Sequence, residues 1–270
     1  MSEIDFRDAA EIERGERLLR DGYVIEAVES HPALDRLREL MVSVACGYLQ
    51  VPLPSDPETW LNRVGDLVPV DRLNAFRIAV IAGMNAQPWV RRAYFDLARN
   101  ALGCLVGNEL AMQRRLNVSI QLPGDDSSLL PLHADTWSGD SPFEMVLWVP
   151  FTRCYGTKAM FILPPEPSAR FTTDLHAFKT AGVEAAYDSV KSDLTWIEID
   201  YGQFMLFNQN LPHGNRVNVE TETRWSTNCR FKGLFTPYAD KKLGEFFEPI
   251  TLRPASRLGL DYAMPEGFDE

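Results

Sequence analysis

From Gln113 onwards the chain consists of short β-rich runs separated by turn-forming residues. The turns contain Pro, Gly, Asp and Asn, as at 123–126 and 138–142. Many short strands at this spacing predict a barrel or a double-sheet jelly roll. The predicted strands are 116–122, 145–151, 159–163, 195–199, 204–207 and 225–231. The polar stretch at about 164–194 is expected to be a helical or loop insertion between strands.

The first 112 residues have a different periodicity, which is helical. Apolar residues at 33–49 recur at spacings of three and four, as on one face of a helix. The segment 55–58 predicts a helix start, because Ser55 or Asp56 can cap it and Pro57 suits the first turn. Residues 91–105 continue the pattern. We therefore expect an α+β protein, in which a helical N-terminal region (1–112) packs on a β core (113–270).

The negative net charge of the chain makes some classes of binding partner unfavourable. The 38 acidic residues outnumber the 27 basic ones, which gives a net charge of −11. Such a surface repels phosphate backbones and anionic lipids, so we expect neither nucleic acid nor membrane as a partner. The four cysteines lie far apart and form no Cys-x-x-Cys pair, which favours reduced thiols in a cytoplasmic protein. No signal peptide or membrane span is predicted.

Two of the four histidines occur in a pattern typical of metal sites. His133 and Asp135 form a His-x-Asp pair, and alternate residues of a strand point to the same face. His213, 78 residues after Asp135, supplies a second imidazole. Two imidazoles and one carboxylate make the facial triad that leaves open positions on Fe(II). His31 and His176 are interpreted as surface residues.

Eleven residues beyond His213, Arg224 and Ser226 form an alternating pair on a predicted strand. A guanidinium can grip a carboxylate with two hydrogen bonds, and a serine hydroxyl can add another. The distal carboxylate of 2-oxoglutarate requires such a site. Alternatively, His213 caps a turn and Arg224 pairs with Glu220 or Glu222 at the surface.

Four segments carry a family resemblance: LPLHADTWSGDSPFEMVLWVPF, YGQFMLFNQNLPHGNRVN, ETRWSTNCRFKGLFTPY and KKLGEFFEPIT. They resemble the Fe(II)/2-oxoglutarate-dependent oxygenases of sporadic bacterial carbohydrate-biosynthesis clusters, over roughly residues 113–254. The resemblance implies a double-stranded β-helix core of the jelly-roll or cupin-like type. It also implies that His133, Asp135 and His213 are the catalytic metal ligands and that Arg224 and Ser226 bind the co-substrate.

The resemblance implies Fe(II), 2-oxoglutarate and O2 as cofactors, and succinate and CO2 as by-products. Halogenation is not expected, because related halogenases lack the carboxylate that Asp135 provides. Hydroxylation is the expected outcome, and desaturation, ring formation and oxidation of a carbinol are the alternatives. Asn117, Ser119 and Gln121 alternate on a predicted strand, so Asn117 and Gln121 are further candidates for binding the co-substrate. The other interpretation is that they are polar positions on a half-solvated strand.

The leading hypothesis is a dioxygenase that hydroxylates a carbohydrate or a carbohydrate-derived small molecule in a bacterial biosynthetic pathway. A homodimer is compatible with the resemblance. Two rival hypotheses are a cupin-type sugar isomerase or epimerase, which would not need Arg224 and Ser226, and a non-catalytic sugar-binding barrel, which would not need Asp135.

Overall fold

The computed structural model describes residues 6–127 and 129–267. The α-helices within these ranges are α1 (Ala9–Asp21), α2 (His31–Leu49), α3 (Pro57–Asn62), α4 (Val70–Asn85), α5 (Val90–Asp96), α6 (Arg99–Leu105), α7 (Pro165–Thr173), α8 (Phe178–Val190) and α9 (Pro254–Leu260). The strands are β1 (Tyr23–Ala27), β2 (Leu110–Gln113), β3 (Asn117–Gln121), β4 (Glu144–Pro150), β5 (Phe161–Ile162), β6 (Thr195–Trp196), β7 (Gln203–Asn208), β8 (His213–Gly214), β9 (Arg224–Gly233) and β10 (Phe247–Pro249).

Two antiparallel sheets form the β core. The larger has the order β1-β7-β4-β9-β2-β10, with β3 also paired to β9, and the smaller has the order β6-β5-β8. The ten-residue strand β9 pairs with β4 over seven positions, from Glu144 opposite Lys232 to Pro150 opposite Ser226. It also pairs with β3 near its start and with β2 near its end. β9 therefore holds three other strands in register.

Alternation along the strands separates an apolar face from one that carries both apolar and polar residues. Leu147 and Val149 of β4 and Trp225 and Phe231 of β9 belong to one large core that also contains buried residues of α2, α4 and α5. A hydrogen bond also joins the helical layer to this face, because the Trp225 Nε1–H donates to the carbonyl of Leu61 at 2.8 Å. The intervening residues of β4 and β9 face the other way, into the space between the two sheets.

The predicted helices are present where capping and periodicity indicated them. Helix α2 covers the predicted stripe, and α3 begins at Pro57 with Asp56 as its capping residue. The predicted helix at 91–105 is two helices, α5 and α6, because the backbone departs from helical geometry at Ala98 (φ −146°, ψ 32°). The insertion at about 164–194 contains α7 and α8.

Several strands differ from the prediction. β1 lies in the region for which only helices were predicted, and it pairs with β7 along the edge of the larger sheet. It follows Gly22, whose left-handed conformation (φ 81°) ends α1 and turns the chain into the strand. β2 and β10 were not predicted either. β5 and β6 are each two residues long, so the runs at 159–163 and 195–199 form less regular strand than expected.

All four cysteines are free, as their spacing predicted, and Cys46, Cys154 and Cys229 are buried. None of the helices in residues 6–127 and 129–267 combines the length and the hydropathy that crossing a bilayer requires.

We predict that Tyr94→Phe lowers the free energy of unfolding by about 1 kcal/mol. The buried Tyr94 hydroxyl donates to the carbonyl of Leu147 at 2.8 Å and lies 3.2 Å from that of Thr227, and it thereby connects α5 to both β4 and β9. Urea denaturation of this variant and of the control Tyr262→Phe, at an exposed tyrosine, measures the effect. Equal stabilities of the two variants would show that the buried hydrogen bond contributes nothing.

Candidate active site

The structure brings His133, Asp135 and His213 together at one end of the cavity between the sheets. The predicted strand geometry is wrong in detail, because His133 and Asp135 do not lie on a regular strand. Instead, His133 and His213 form an isolated antiparallel bridge, in which each N–H donates to the other's carbonyl at 3.0 and 2.7 Å. Asp135 begins a 3₁₀ turn, and its N–H donates to the carbonyl of Gln209 at 3.2 Å. The bridge and the turn together place the three side chains in one cluster.

Potential ligand atoms of the three residues all lie within 4.8 Å of one another. Oδ1 of Asp135 is 3.5 Å from Nε2 of His133 and 4.0 Å from Nε2 of His213. Nδ1 of each histidine lies 2.7 to 2.8 Å from a backbone carbonyl, of Pro131 for His133 and of Leu211 for His213. A carbonyl only accepts, so Nδ1 of each ring carries a proton, and Nε2 is the ring nitrogen that faces Asp135.

The pKa shifts of His213 and Asp135 favour metal binding, whereas the shift of His133 opposes it. Burial, together with the neighbouring His133, lowers the pKa of His213 to about 4, so this imidazole is neutral at pH 7. Burial opposes the charge on Asp135, but the hydrogen bond from His133 and the charge of Arg230 outweigh it and hold the pKa of Asp135 well below its usual range. Burial likewise opposes protonation of His133, yet hydrogen bonds to Asp135 and Pro131 raise the pKa of this residue.

The donor set fits a first-row divalent metal. Two imidazole nitrogens and one carboxylate oxygen on one side of an ion leave its other side open, as in facial-triad sites. His133 is half-buried, whereas Asp135 and His213 are buried, so the surrounding protein limits access of water to the cluster. His31 and His176 lie elsewhere in the fold, at the start of α2 and within the 3₁₀ turn Leu175–Ala177.

Arg224 lies in the same cavity and has no acidic partner among residues 6–127 and 129–267. Its side chain is buried; Nη1 donates to the carbonyl of Ala159 at 3.0 Å and Nη2 to Oγ of Ser119 at 3.1 Å. Nε is buried without a hydrogen-bond partner. Burial lowers the pKa of Arg224 to about 10, which shows how poorly the site compensates this charge.

The alternative pairing of Arg224 with Glu220 or Glu222 does not occur. Glu222 instead accepts a 2.8 Å ion pair from the buried Lys158, and Glu220 accepts hydrogen bonds from Thr157. His213 bonds the Leu211 carbonyl through Nδ1, and its Nε2 belongs to the cluster that could hold a metal.

The cavity has a volume of about 260 Å³. Its apolar wall comes from β4 and β7 of the larger sheet, from the segment before β5 and from the loop that precedes His133. The apolar lining residues are Leu130, Val146, Trp148, Met160 and Phe207. Its polar lining includes the metal-capable cluster, which is His133, Asp135 and His213, and the neighbouring Gly214. Two arginines, three asparagines and one serine complete it. These remaining polar residues are Asn117, Ser119, Asn215, Arg224, Asn228 and Arg230.

The other predicted co-substrate residues occupy different positions. Asn117 lines the cavity and donates from Nδ2 to Oδ1 of Asn228 at 2.8 Å. Ser226 is buried opposite Ser119, and its hydroxyl has no hydrogen-bond partner. Gln121 lies opposite Arg224 but does not line the cavity, because its Nε2 donates to the carbonyl of Arg216 at 2.6 Å.

Sequence reasoning missed Arg230, whose Nη2 donates to Oδ2 of Asp135 at 2.7 Å. The signal was available in the alternation along β9. Two further steps of two residues from Ser226 lead to Asn228 and then Arg230 on the same face.

No protein-family model matches the sequence, and no curated protein matches it. Solved structures do resemble it. The non-haem monooxygenase ThoJ, in a nickel complex, superimposes with a TM-score of 0.54 at 16% identity, covering 87% of this chain and 82% of that one. AviO1 from Streptomyces viridochromogenes Tue57 superimposes with a TM-score of 0.52 at 16% identity, covering 86% of this chain and 99% of that one. HygX from Streptomyces hygroscopicus, solved with nickel and 2-oxoglutarate, superimposes with a TM-score of 0.51 at 13% identity, covering 86% of this chain and 89% of that one.

At these identities the likeness establishes the fold. The chain has the double-stranded β-helix architecture of non-haem oxygenases with added helices, which confirms the predicted fold class and, at the level of fold, the predicted resemblance.

We predict that the apoprotein binds one Co(II) ion and that His133→Ala weakens this binding. Substituting a residue that only supports a metal ligand weakens metal binding by roughly 10- to 100-fold, and the loss of His133, itself a ligand, is expected to have a larger effect. Titration followed by visible absorption measures the affinity. The control is His176→Ala, at an exposed histidine outside the cluster. Equal Co(II) affinity of the two variants would mean that the cluster does not bind the metal.

Proposed function

We propose that this protein is a non-haem Fe(II)- and 2-oxoglutarate-dependent dioxygenase. The observation that carries the proposal is the pairing, in one cavity, of a metal-capable cluster with a buried arginine that has no carboxylate partner in the part of the chain that the structure describes. An unpaired buried charge is costly, and a bound carboxylate would compensate it. 2-Oxoglutarate has one end that chelates a metal, through a carboxylate and the adjacent oxo group, and a second carboxylate at the other end.

Different residues of the chain would bind the metal and the co-substrate. His133, Asp135 and His213 would hold Fe(II), with the two imidazoles oriented by their Nδ1–H hydrogen bonds to backbone carbonyls. Arg224 would bind the distal carboxylate with its free Nε–H and with Nη groups that now reach Ala159 and Ser119. When bound, iron and 2-oxoglutarate supply the oxidising chemistry, which consumes O2 and releases succinate and CO2.

The apolar wall would exclude water from the reacting centre. Val146 and Trp148 from β4, with Met160 and Phe207, surround the space between the cluster and Arg224's strand. Low water content strengthens the interaction between Arg224 and a carboxylate, and it protects the oxidising chemistry from side reactions.

Hydroxylation is the reaction we propose, and Asp135 argues against halogenation, because it fills the ligand position that halogenases leave to chloride. The substrate we propose is a carbohydrate or a carbohydrate-derived small molecule of a bacterial biosynthetic pathway. That choice rests on the sequence resemblance, and it is supported by neutral hydrogen-bonding groups in the cavity. The amides of Asn117 and Asn228 suit hydroxyl groups better than charged ones. The homodimer and the cytoplasmic location remain predictions.

Visible absorption of the anaerobic protein tests the assignment. Addition of 2-oxoglutarate to the Fe(II)-loaded wild type is expected to produce the weak charge-transfer band of a chelated facial-triad iron, and His213→Ala is expected to lack it. A wild-type protein that binds Fe(II) in the cluster but shows no band would contradict the co-substrate assignment and favour a cupin-type isomerase.

We predict that Arg224→Met raises the dissociation constant for 2-oxoglutarate about 30-fold or more, which corresponds to ~2 kcal/mol or more. Co(II) affinity is expected to persist, because Arg224 does not contact the metal-capable cluster. Calorimetric titration of the Co(II)-loaded protein measures both constants. Arg153→Met, at an exposed arginine, is the control. Unchanged 2-oxoglutarate affinity in Arg224→Met would place the distal carboxylate elsewhere.

A further inference from the structure

The two oxygens of Asp135 have different environments. Oδ1 faces the histidines, 3.5 Å from Nε2 of His133 and 4.0 Å from Nε2 of His213. Oδ2 faces away from them and accepts a 2.7 Å hydrogen bond from Nη2 of Arg230. One oxygen is thus directed toward the candidate metal position, and the other is engaged by a cation.

Arg230 is itself held in place from several sides. Its Nε donates to Oε1 of Gln209 at 3.0 Å, and the buried carboxylates of Asp140 and Glu144 lie 3.8 and 3.9 Å from its guanidinium. Nε2 of Gln209 donates to Glu144 at 3.1 Å, and the carbonyl of Gln209 accepts from the N–H of Asp135. The guanidinium and the carboxylate are therefore tied to the same residue, which fixes their relative position.

We propose that Arg230 is a positioning residue that restricts Asp135 to one-oxygen ligation of the metal. This inference rests on the proposed function. A carboxylate with both oxygens free can bind a metal through either one or two of them. Two-oxygen ligation would use one of the three open positions that a facial triad keeps for 2-oxoglutarate and O2. By engaging Oδ2, Arg230 keeps that position open.

The charges around the two cavity arginines show why they have different roles. Arg230 is already compensated by Asp135, with Asp140 and Glu144 close by. Arg224 has no carboxylate within ion-pair distance among the described residues. An incoming dianion therefore gains more at Arg224, and Arg230 stays with Asp135.

The test compares Arg230→Met and Arg230→Lys with the matched control Lys232→Met. Lys232 is a buried cation two residues further along β9, and its Nζ donates to the carbonyl of Pro237 without contacting Asp135. Two constants are measured for each protein: the Co(II) affinity of the apoprotein and the 2-oxoglutarate affinity of the Co(II)-saturated protein. The spectrum of bound Co(II) reports its coordination.

Arg230→Met is expected to weaken Co(II) binding by about 10- to 100-fold. It is also expected to weaken 2-oxoglutarate binding at saturating Co(II) and to change the Co(II) spectrum, since Asp135 can then use both oxygens. Arg230→Lys is expected to fall between Arg230→Met and wild type, because one ammonium group cannot reach both Asp135 and Gln209. Lys232→Met is expected to match wild type in both constants.

Each other outcome overturns a different claim. Wild-type protein that binds no Co(II) in the cluster would overturn the proposed function and this inference with it. Wild-type behaviour of the Arg230 variants in a protein that does bind Co(II) and 2-oxoglutarate would overturn only the role of Arg230. Equal losses in Lys232→Met would assign the effect to the buried charges in general. Should Arg230→Met not fold, Arg230→Lys decides, and Co(II) affinity equal to that of wild type would contradict the inference.

Discussion

The pairing of β9 with β4 is the interaction on which the rest of the structure depends. Its seven-residue register fixes which side chains of β9 face the helices and which face the cavity. A shift by one residue would bury Arg224 and Arg230 in the apolar core and turn Trp225 toward the cavity. The cost of burying these charges without partners makes the register specific. The apolar packing of α2, α4 and α5 and the polar lining of the site thus follow from one ladder.

Electrostatics then divides the cavity into two ends. At one end Asp135 is paired with Arg230, and burial lowers the pKa of His213, so that its neutral imidazole is available as a ligand. At the other end Arg224 carries a charge that no described carboxylate balances. A ligand with one chelating end and one carboxylate end would bind at both ends of the cavity, whereas a neutral sugar alone would leave the charge of Arg224 without a counter-charge. This asymmetry is the reason for proposing a co-substrate in this cavity and not a binding-only role.

The sequence predicted those parts of the molecule that local patterns encode. The helix stripe of α2, the strand alternation of β9 and the residue types of the metal-capable cluster are all visible in short segments. β1 was missed because its strand state depends on pairing with β7, about 180 residues later. Gln121 was assigned to the correct face of β3, but only the structure shows that a hydrogen bond to the Arg216 carbonyl holds its side chain away from the cavity. Arg230 was missed because its partner, Asp135, is distant in sequence.

A crystal structure of the protein grown anaerobically with Mn(II) and 2-oxoglutarate tests the central claim most directly. The account predicts anomalous density for one metal between Nε2 of His133, Nε2 of His213 and Oδ1 of Asp135. It also predicts the distal carboxylate of 2-oxoglutarate against the guanidinium of Arg224. Metal bound away from the cluster at saturating concentration, or 2-oxoglutarate bound outside the cavity with Arg224 still unpaired, would contradict the assignment of this cavity as an oxygenase active site.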